Sequence, residues 1–287
     1  MGAVAVEPFA SEFRRLVRLG AGTQDIQGTS AAEERGFARC TGGSDAFIAH
    51  EEARVALHQT GFCRLIEAAC GRARRILDVG CSTGGGAVAM ALSRALGPEE
   101  VIGVDPDPLS LRAAEVRASA HELPRKRVRF IRVRPDVPLP FGADQFDLVV
   151  CLSVLEFVPM AGARRRLVDE MKRVVRPGGC LFLSTPSPLR VRDLHARRWL
   201  GDLLRRDGFP WAPSPWWLRD AVADFERVRI ESWLLEQELE RAGFPSVAIP
   251  RIVARAIDWA RPWQNIVVRK PSRDRAQLAH GDGRIMA

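Results

Sequence analysis

The segment from Arg75 to Gly86 constrains the fold of this chain more than any other feature. Its apolar run ends in an acid, and a loop of small residues then leads into a helical pattern that begins at Ala87. A short apolar run bounded by turn residues is typical of a buried strand, and a glycine-rich turn lets a ligand approach the backbone closely. The segment therefore predicts a strand, a loop and a helix that form a site for a nucleotide-type cofactor.

Two acids indicate which cofactor this loop binds. A dinucleotide site needs the pattern G-x-G-x-x-G, whose second glycine admits the pyrophosphate, and Ser82 stands at that position. Asp78, at the end of the first strand, would repel a pyrophosphate and attract a cationic ammonium. Asp105 ends the next strand, and its spacing from Gly80 is near that at which an acid accepts hydrogen bonds from ribose hydroxyls. S-adenosylmethionine, with its amino-acid end and its adenosine, satisfies both acids.

Five motifs follow one another along the chain: Leu77–Gly84, Val104–Asp105, Leu139–Phe141, Gln145–Cys151 and Arg173–Gly179. Together they resemble the class I S-adenosylmethionine-dependent methyltransferases, and they are similar to the small-molecule branch with the quinone and natural-product enzymes (type 11-like). The resemblance covers residues 75–185 and extends more loosely to position 270. It implies SN2 transfer of a methyl group to a small-molecule acceptor in bacterial specialised metabolism. No metal is expected, and the second product would be S-adenosylhomocysteine.

Strand and helix patterns alternate along the chain, which predicts a parallel sheet covered on both faces. The resemblance implies an α/β fold with a Rossmann-like, doubly wound sheet of seven strands, mostly parallel with the last antiparallel. N-terminal helices and a helical cap insert after strand five complete it. The predicted strands lie at 75–79, 100–104, 128–133, 146–151, 180–185, 246–249 and 263–269. The predicted segments are an N-terminal helical segment or lid (1–70), the cofactor-binding core (71–186), the cap insert on the substrate side (187–228), the remainder of the sheet (229–270) and a disordered tail (271–287).

The resemblance implies a role for each residue of the cofactor site. The assignments are Asp78 to the methionyl ammonium, Gly80, Ser82 and Gly84 to the loop, Asp105 to the ribose, Pro106 to the border of the adenine, Asp136 with Val137 to the adenine amino group, and Cys151 to the methionine part. Structural alternatives stand beside three of them. Asp78 is also explained as a helix-capping or turn acid, Asp105 as a helix N-cap, and Cys151 as a small buried hydrophobic residue.

The acceptor side carries two candidate catalytic residues, Glu156 and His195. The segment Val154–Val158 resembles one in which many relatives read Leu-Glu-His-Val, and Phe157 stands in the place of that histidine. His195, just after strand five, is either a general base or an ordinary hydrogen-bonded histidine, and Glu156 either orients the acceptor or pairs with an arginine. Alignment of the reactants alone supplies about 7–11 kcal/mol, and a base is needed only for an acceptor that is protonated. Methylation of oxygen, nitrogen or carbon is therefore open.

The formal net charge of +8 is compatible with acidic partners, but its scattered arginines are also explained as a solvated basic surface. A nucleic-acid methyltransferase would explain it, but the end of strand four lacks the Asn/Asp-Pro-Pro-aromatic signature used on base amines, and no RNA-binding module is recognisable. A small-molecule acceptor is preferred, and Arg190, Arg192 and Arg197 near the predicted cap suggest an acidic or phosphorylated one. The remaining alternative is a non-catalytic protein that binds S-adenosylmethionine.

The cysteine and hydropathy patterns indicate the cellular compartment of the protein. The six cysteines form no C-x-x-C pair, which favours reduced thiols in the cytoplasm. No apolar run reaches the roughly 18 residues of a membrane span, and no metal-ligand spacing is present. The sequence thus predicts a cytoplasmic protein without a resident metal, in an oligomeric state that it leaves open.

Overall fold

The computed structural model describes residues 11–18, 45–135, 137–158, 160–186, 192–193, 198–199, 213–228 and 263–272. The helices in these ranges are α1 (11–18), α2 (Asp45–Thr60), α3 (Phe62–Cys70), α4 (Gly85–Leu92), α5 (Pro108–Ala120), α6 (Ala161–Val174) and α7 (Pro215–Ala221), with a 3₁₀ turn at Leu155–Phe157. The strands are β1 (Arg75–Val79), β2 (Glu100–Asp105), β3 (Val128–Arg132), β4 (Phe146–Leu152), β5 (Val175–Pro186), β6 (Arg192–Asp193), β7 (Arg198–Trp199), β8 (Glu226–Arg227) and β9 (Trp263–Arg269). None of the helices described is long and apolar enough to cross a membrane.

Seven of these strands form one sheet in the order β3-β2-β1-β4-β5-β9-β8, and β6 pairs with β7 separately. β1 to β5 are mutually parallel, whereas β9 runs antiparallel to β5 and to β8. The predicted Rossmann-like sheet, mostly parallel with an antiparallel last strand, is confirmed. The order reverses between β1 and β4, and ligands of such sheets bind beyond the carboxyl ends of the strands at this switch point.

The central strands are apolar because helices cover both faces of the parallel sheet. Ile76, Leu77, Leu148 and Val149 have no exposed surface. One face packs against α2, α3 and α4, and the other against α6 and α7. Asp78 interrupts this apolar pattern in β1, where it lies between the strands on either side.

The N-terminal helices pack directly on the cofactor-binding core. Phe13, Leu16 and Val17 of α1 form a buried cluster with Ile48 of α2 and Ala113 of α5. Within the predicted N-terminal helical segment, a break at residue 61 separates α2 from α3. This packing brings one face of α2 to the loop between β1 and α4.

Residues 213–228 lie within the predicted cap insert (187–228), and their buried side chains pack in the same cluster as α6. Leu218 and Ala221 of α7 are buried in the same cluster as α6, and Phe225 joins them. β8 then pairs with β9 and forms the edge of the sheet. The predicted strand at 246–249 lies outside the described residues, as does most of the rest of the insert.

Candidate functional site

The loop between β1 and α4 is fixed by backbone hydrogen bonds to the neighbouring strand. The N–H groups of Gly80 and Cys81 both donate to the carbonyl of Val104, at 2.8 and 3.0 Å. Gly84 caps α4 in a left-handed conformation, and Ser82 is also left-handed with a φ of 47°. Serine at the usual glycine position is therefore accommodated by a conformation that non-glycine residues adopt uncommonly.

Asp105 is held at the carboxyl end of β2 by two backbone donors. Its Oδ2 accepts from the N–H of Ser82 at 2.8 Å, and its Oδ1 accepts from the N–H of Asp107 at 2.9 Å. Burial raises the pKa of Asp105 to about 6, although these two hydrogen bonds oppose the shift. The N-cap of α5 is Asp107, which accepts from Leu109 and Ser110. The alternative of Asp105 as a helix cap is therefore wrong.

Asp78 is buried beneath the first turn of α4, with 2% of its surface exposed. The backbone N–H of Ala87 donates to its carboxylate, and a side chain at Gly86 would lie 2.9 Å from its Oδ2. Burial raises the pKa of Asp78 to about 7, Arg54 opposes that rise, and the charge of Asp105 adds to it. A cation bound beside these two carboxylates would relieve the cost of their burial.

Arg54 of α2 belongs to the site although the sequence did not single it out. A side chain at Gly85 would lie 2.8 Å from the Arg54 Cγ, so the arginine covers the loop. Its Nη1 donates to Glu51 Oε1 at 3.0 Å, and its Nε donates to His58 Nε2 at 3.2 Å. Burial alone would lower the pKa of Arg54, but Glu51 reverses the direction and raises it.

The burial of His58 keeps that imidazole neutral, so it serves as an acceptor. Burial and then the charge of Arg54 lower its pKa to about 2. Glu51, Arg54 and His58 occur at helical spacing on α2, so they share one face. This polar stripe on a helix that precedes a glycine-rich loop is the sequence pattern from which the cluster could have been predicted.

The charged side chains of the site fit three parts of S-adenosylmethionine, namely its ammonium, its carboxylate and its ribose. The buried carboxylates of Asp78 and Asp105 suit an ammonium and two hydroxyls, and the guanidinium of Arg54 suits a carboxylate. Polar groups of both signs therefore line the carboxyl edge of β1 and β2, as an amino acid attached to a nucleoside requires.

The other predicted cofactor residues fall in several places. Pro106 is exposed after β2, and its carbonyl accepts from Arg132 Nε at 3.1 Å. Val137 is 50% exposed, and Asp136 lies outside the described residues. Cys151 is fully buried in β4, and burial raises the pKa of its thiol well above the ordinary value. Such a thiol packs as a small apolar side chain and is a poor nucleophile.

Of the two candidate catalytic residues, the structure describes Glu156. Its side chain is fully buried in the 3₁₀ turn after β4, and its Oε2 accepts from the hydroxyl of Thr185 at 3.1 Å. The contact ties the turn to the end of β5. His195 lies outside the described residues. Among the described side chains, no group of three or more His, Cys, Asp or Glu is arranged to hold a metal ion.

Comparison with known proteins identifies the core. Residues 77–183 match a family model described as a methyltransferase domain. Over 112 residues the chain is 34% identical to a ubiquinone biosynthesis O-methyltransferase of Psychrobacter arcticus, covering 39% of this chain and 40% of that one. Over 115 residues it is 36% identical to a phthiotriol/phenolphthiotriol dimycocerosates methyltransferase of Mycobacterium leprae, covering 40% and 38%. The chain thus spans about two fifths of the length of these curated relatives.

A solved structure shares the fold at low sequence identity. A putative sarcosine dimethylglycine methyltransferase from Galdieria sulphuraria aligns with a TM-score of 0.51 and 15% identity, over 84% of this chain and 98% of that one. The segment matched by the family model begins in β1 and ends in β5, so it contains the loop, Asp78 and Asp105. Residues 77–183 of this chain therefore match a methyltransferase domain, and this is the part that holds the loop, Asp78 and Asp105.

Proposed function

We propose that the whole chain is an S-adenosylmethionine-dependent methyltransferase that acts on a small-molecule acceptor. The observation that carries this proposal is the pair of buried acids, Asp78 and Asp105, beside a glycine loop at the switch point of the sheet. A buried carboxylate is costly unless a partner compensates it. A ligand that brings an ammonium and ribose hydroxyls supplies that compensation.

Each end of the cofactor has its own residues in this proposal. Each carboxylate oxygen of Asp105 already accepts one hydrogen bond from a backbone N–H, which fixes the orientation of the side chain. The remaining lone pairs of these oxygens can accept hydrogen bonds from the ribose hydroxyls. Asp78 receives the ammonium, and Arg54 receives the carboxylate. S-adenosylmethionine, when bound, supplies a methyl group that its sulfonium charge already activates. The chain's own contribution is to hold the acceptor in line with that group.

On the acceptor side, few residues are candidates for a direct role in catalysis. Phe157 replaces the histidine of many relatives, and Glu156 is engaged with Thr185. We assign Glu156 a positioning role, in which it holds the 3₁₀ turn against β5 beside the acceptor. His195 stays a candidate base for an acceptor hydroxyl.

The acceptor we propose is a small organic molecule of bacterial specialised metabolism. The names of the two relatives refer to ubiquinone and to phthiotriol or phenolphthiotriol dimycocerosates rather than to nucleic acid. Ion pairs also engage many arginines that would otherwise favour nucleic acid. They include Arg74–Glu99, Arg75–Glu100, Arg165–Asp220, Arg173–Glu170 and Arg176–Asp147. An acidic or phosphorylated acceptor is the narrower form of the proposal.

Removing Asp105 should weaken cofactor binding. We expect Asp105→Ala to raise the Kd of S-adenosylhomocysteine about 10- to 100-fold, because hydrogen bonds to a charged group contribute about 1.5–3 kcal/mol. Calorimetric titration of the full chain measures this change. Asp147→Ala is the matched control, since that acid lies at the amino end of β4 and binds Arg75 and Arg176 instead. A wild type that binds neither S-adenosylmethionine nor S-adenosylhomocysteine would refute the proposal.

Cofactor affinity should depend on pH through the burial of the two acids. Asp78 and Asp105 have pKa values raised to about 7 and about 6, so both become protonated in mildly acidic solution. Because the ammonium binds the ionised form, protonation must compete with the ligand. We expect the Kd of S-adenosylhomocysteine to be higher at about pH 5.5 than at about pH 8, by about 30-fold through Asp78 and by about 4-fold through Asp105. Asp78→Asn should flatten this profile, whereas an equal slope in wild type and variant would contradict the assignment.

A further inference from the structure

Arg117 is a buried arginine that the proposed chemistry does not use. It lies in α5 with only 2% of its surface exposed, among the largest fully buried side chains of the described residues. Burial lowers its pKa to about 10, so it stays cationic at neutral pH. Arginine is almost never buried without partners. The contacts of the Arg117 guanidinium therefore indicate its role in the structure.

The contacts of Arg117 reach three separate segments. Its Nε donates to the carbonyl of Thr83 at 2.8 Å, and its Nη2 donates to the hydroxyl of the same residue at 3.0 Å. Glu51 Oε2 of α2 lies 3.6 Å from Nη2, and the Thr83 hydroxyl also donates to that carboxylate. The guanidinium stands 4.6 Å from the ring centroid of Phe13 in α1, a distance at which a cation attracts an aromatic face.

Thr83 belongs to the cofactor loop, between the two residues that define the shape of the loop. Ser82 before it donates to Asp105, and Gly84 after it caps α4. Arg117 therefore fixes the loop from one side, while Glu51 binds both Arg117 and Arg54 from the other. Loss of α1 and α2 from the core would leave Arg117 without its carboxylate and its aromatic partner.

We propose that Arg117 is a positioning residue that couples the docking of α1 and α2 to the cofactor-binding shape of the loop. This inference rests on the proposed binding of S-adenosylmethionine at that loop. Coupling of this kind is reciprocal: if docked helices raise cofactor affinity, then cofactor raises the population of docked helices by the same factor.

The test compares Arg117→Met with wild type in the full chain, using S-adenosylhomocysteine as the probe. Titration calorimetry should give a Kd about 5- to 100-fold higher in the variant, the range of typical coupling between sites. Amide hydrogen exchange supplies a readout that general destabilisation would not move. In wild type the ligand should slow exchange in 11–18 and 45–60, and in the variant that ligand-dependent protection should disappear while β1 and β4 stay protected.

Arg112→Met is the matched control on the same helix. Arg112 is exposed and also approaches α1, through Glu12 at 3.5 Å. Exposed pairs contribute little, so this variant should bind as wild type does. Phe13→Leu keeps the apolar contact but removes the ring, and a several-fold weaker affinity is expected even if Arg117→Met does not fold. Wild-type affinity and wild-type protection in the Arg117 and Phe13 variants would overturn the inference alone, whereas absence of binding by the wild type would overturn the proposed function as well.

Discussion

Replacing Gly80 with alanine is expected to lower the free energy of unfolding by about 2–5 kcal/mol and to weaken cofactor binding severely. Gly80 has a φ of 73°, a left-handed conformation that costs an L-residue about 1–2 kcal/mol. An added Cβ would also lie 2.2 Å from Val154 Cγ2 and 3.2 Å from Val154 Cβ. Because valine is stiff about its first torsion, the loop must move, and Asp78 and Asp105 would lose their alignment. Urea unfolding and calorimetric titration with S-adenosylhomocysteine measure the two effects.

Gly71→Ala separates the backbone strain from the clash. Gly71 has a φ of 68°, but a Cβ there would meet no atom within 4 Å. It lies after α3, away from the loop, and its ψ of −146° is almost confined to glycine, so this variant should lose about 1–3 kcal/mol and keep wild-type affinity. Val154→Ala, combined with Gly80→Ala, should recover part of the lost stability because it removes the atoms that clash. Equal losses for the alanine variants at 71 and 80 would show that the contact with Val154 does not matter.

The fold could be predicted from sequence wherever a strand was buried on both faces. The runs at β1, β2 and β4 are apolar, bounded by turn residues and of strand length, so their pattern is unambiguous. β8 could not be predicted because two residues of an edge strand carry no periodicity, and their place in the sheet is set by pairing with β9. The burial of α7 could not be predicted for a similar reason, since it depends on α6, which lies far away in the sequence.

The site was predictable where its residues follow strands in sequence and not where they come from helices packed above them. Asp78 and Asp105 each end a strand, so the parallel arrangement brings them to one edge. Thr83 and Arg117 are separated by 34 positions, and nothing local marks that arginine as buried. From composition alone, Arg117 would be assigned to a solvated basic surface. Only the packing of α1 and α2 on α5 makes it the centre of a network.

Arg54→Met is expected to lower both stability and cofactor affinity, and the two losses can be separated. Removing one partner of a buried ion pair typically costs about 3–5 kcal/mol, because the other charge is left uncompensated. Here Glu51 would keep Thr83 and the more distant Arg117, so we place the loss of unfolding free energy at the lower end, about 3 kcal/mol. The variant also removes a cation that opposes the raised pKa of Asp78. The pH at which cofactor affinity is half-lost should therefore move upward.

A second substitution distinguishes a structural role of Arg54 from a role in binding. Replacement of both charges, Glu51→Gln with Arg54→Met, removes the isolated carboxylate but leaves the buried Arg117 without its acid, so it should restore only part of the stability. It should not restore affinity for S-adenosylhomocysteine, because the carboxylate of the ligand still lacks its guanidinium. Arg14→Met, which breaks an exposed ion pair between α1 and Glu52 of α2, should cost under about 1 kcal/mol and leave binding unchanged. If the double variant regains wild-type affinity together with its stability, Arg54 supports the helix α2 and does not contact the cofactor.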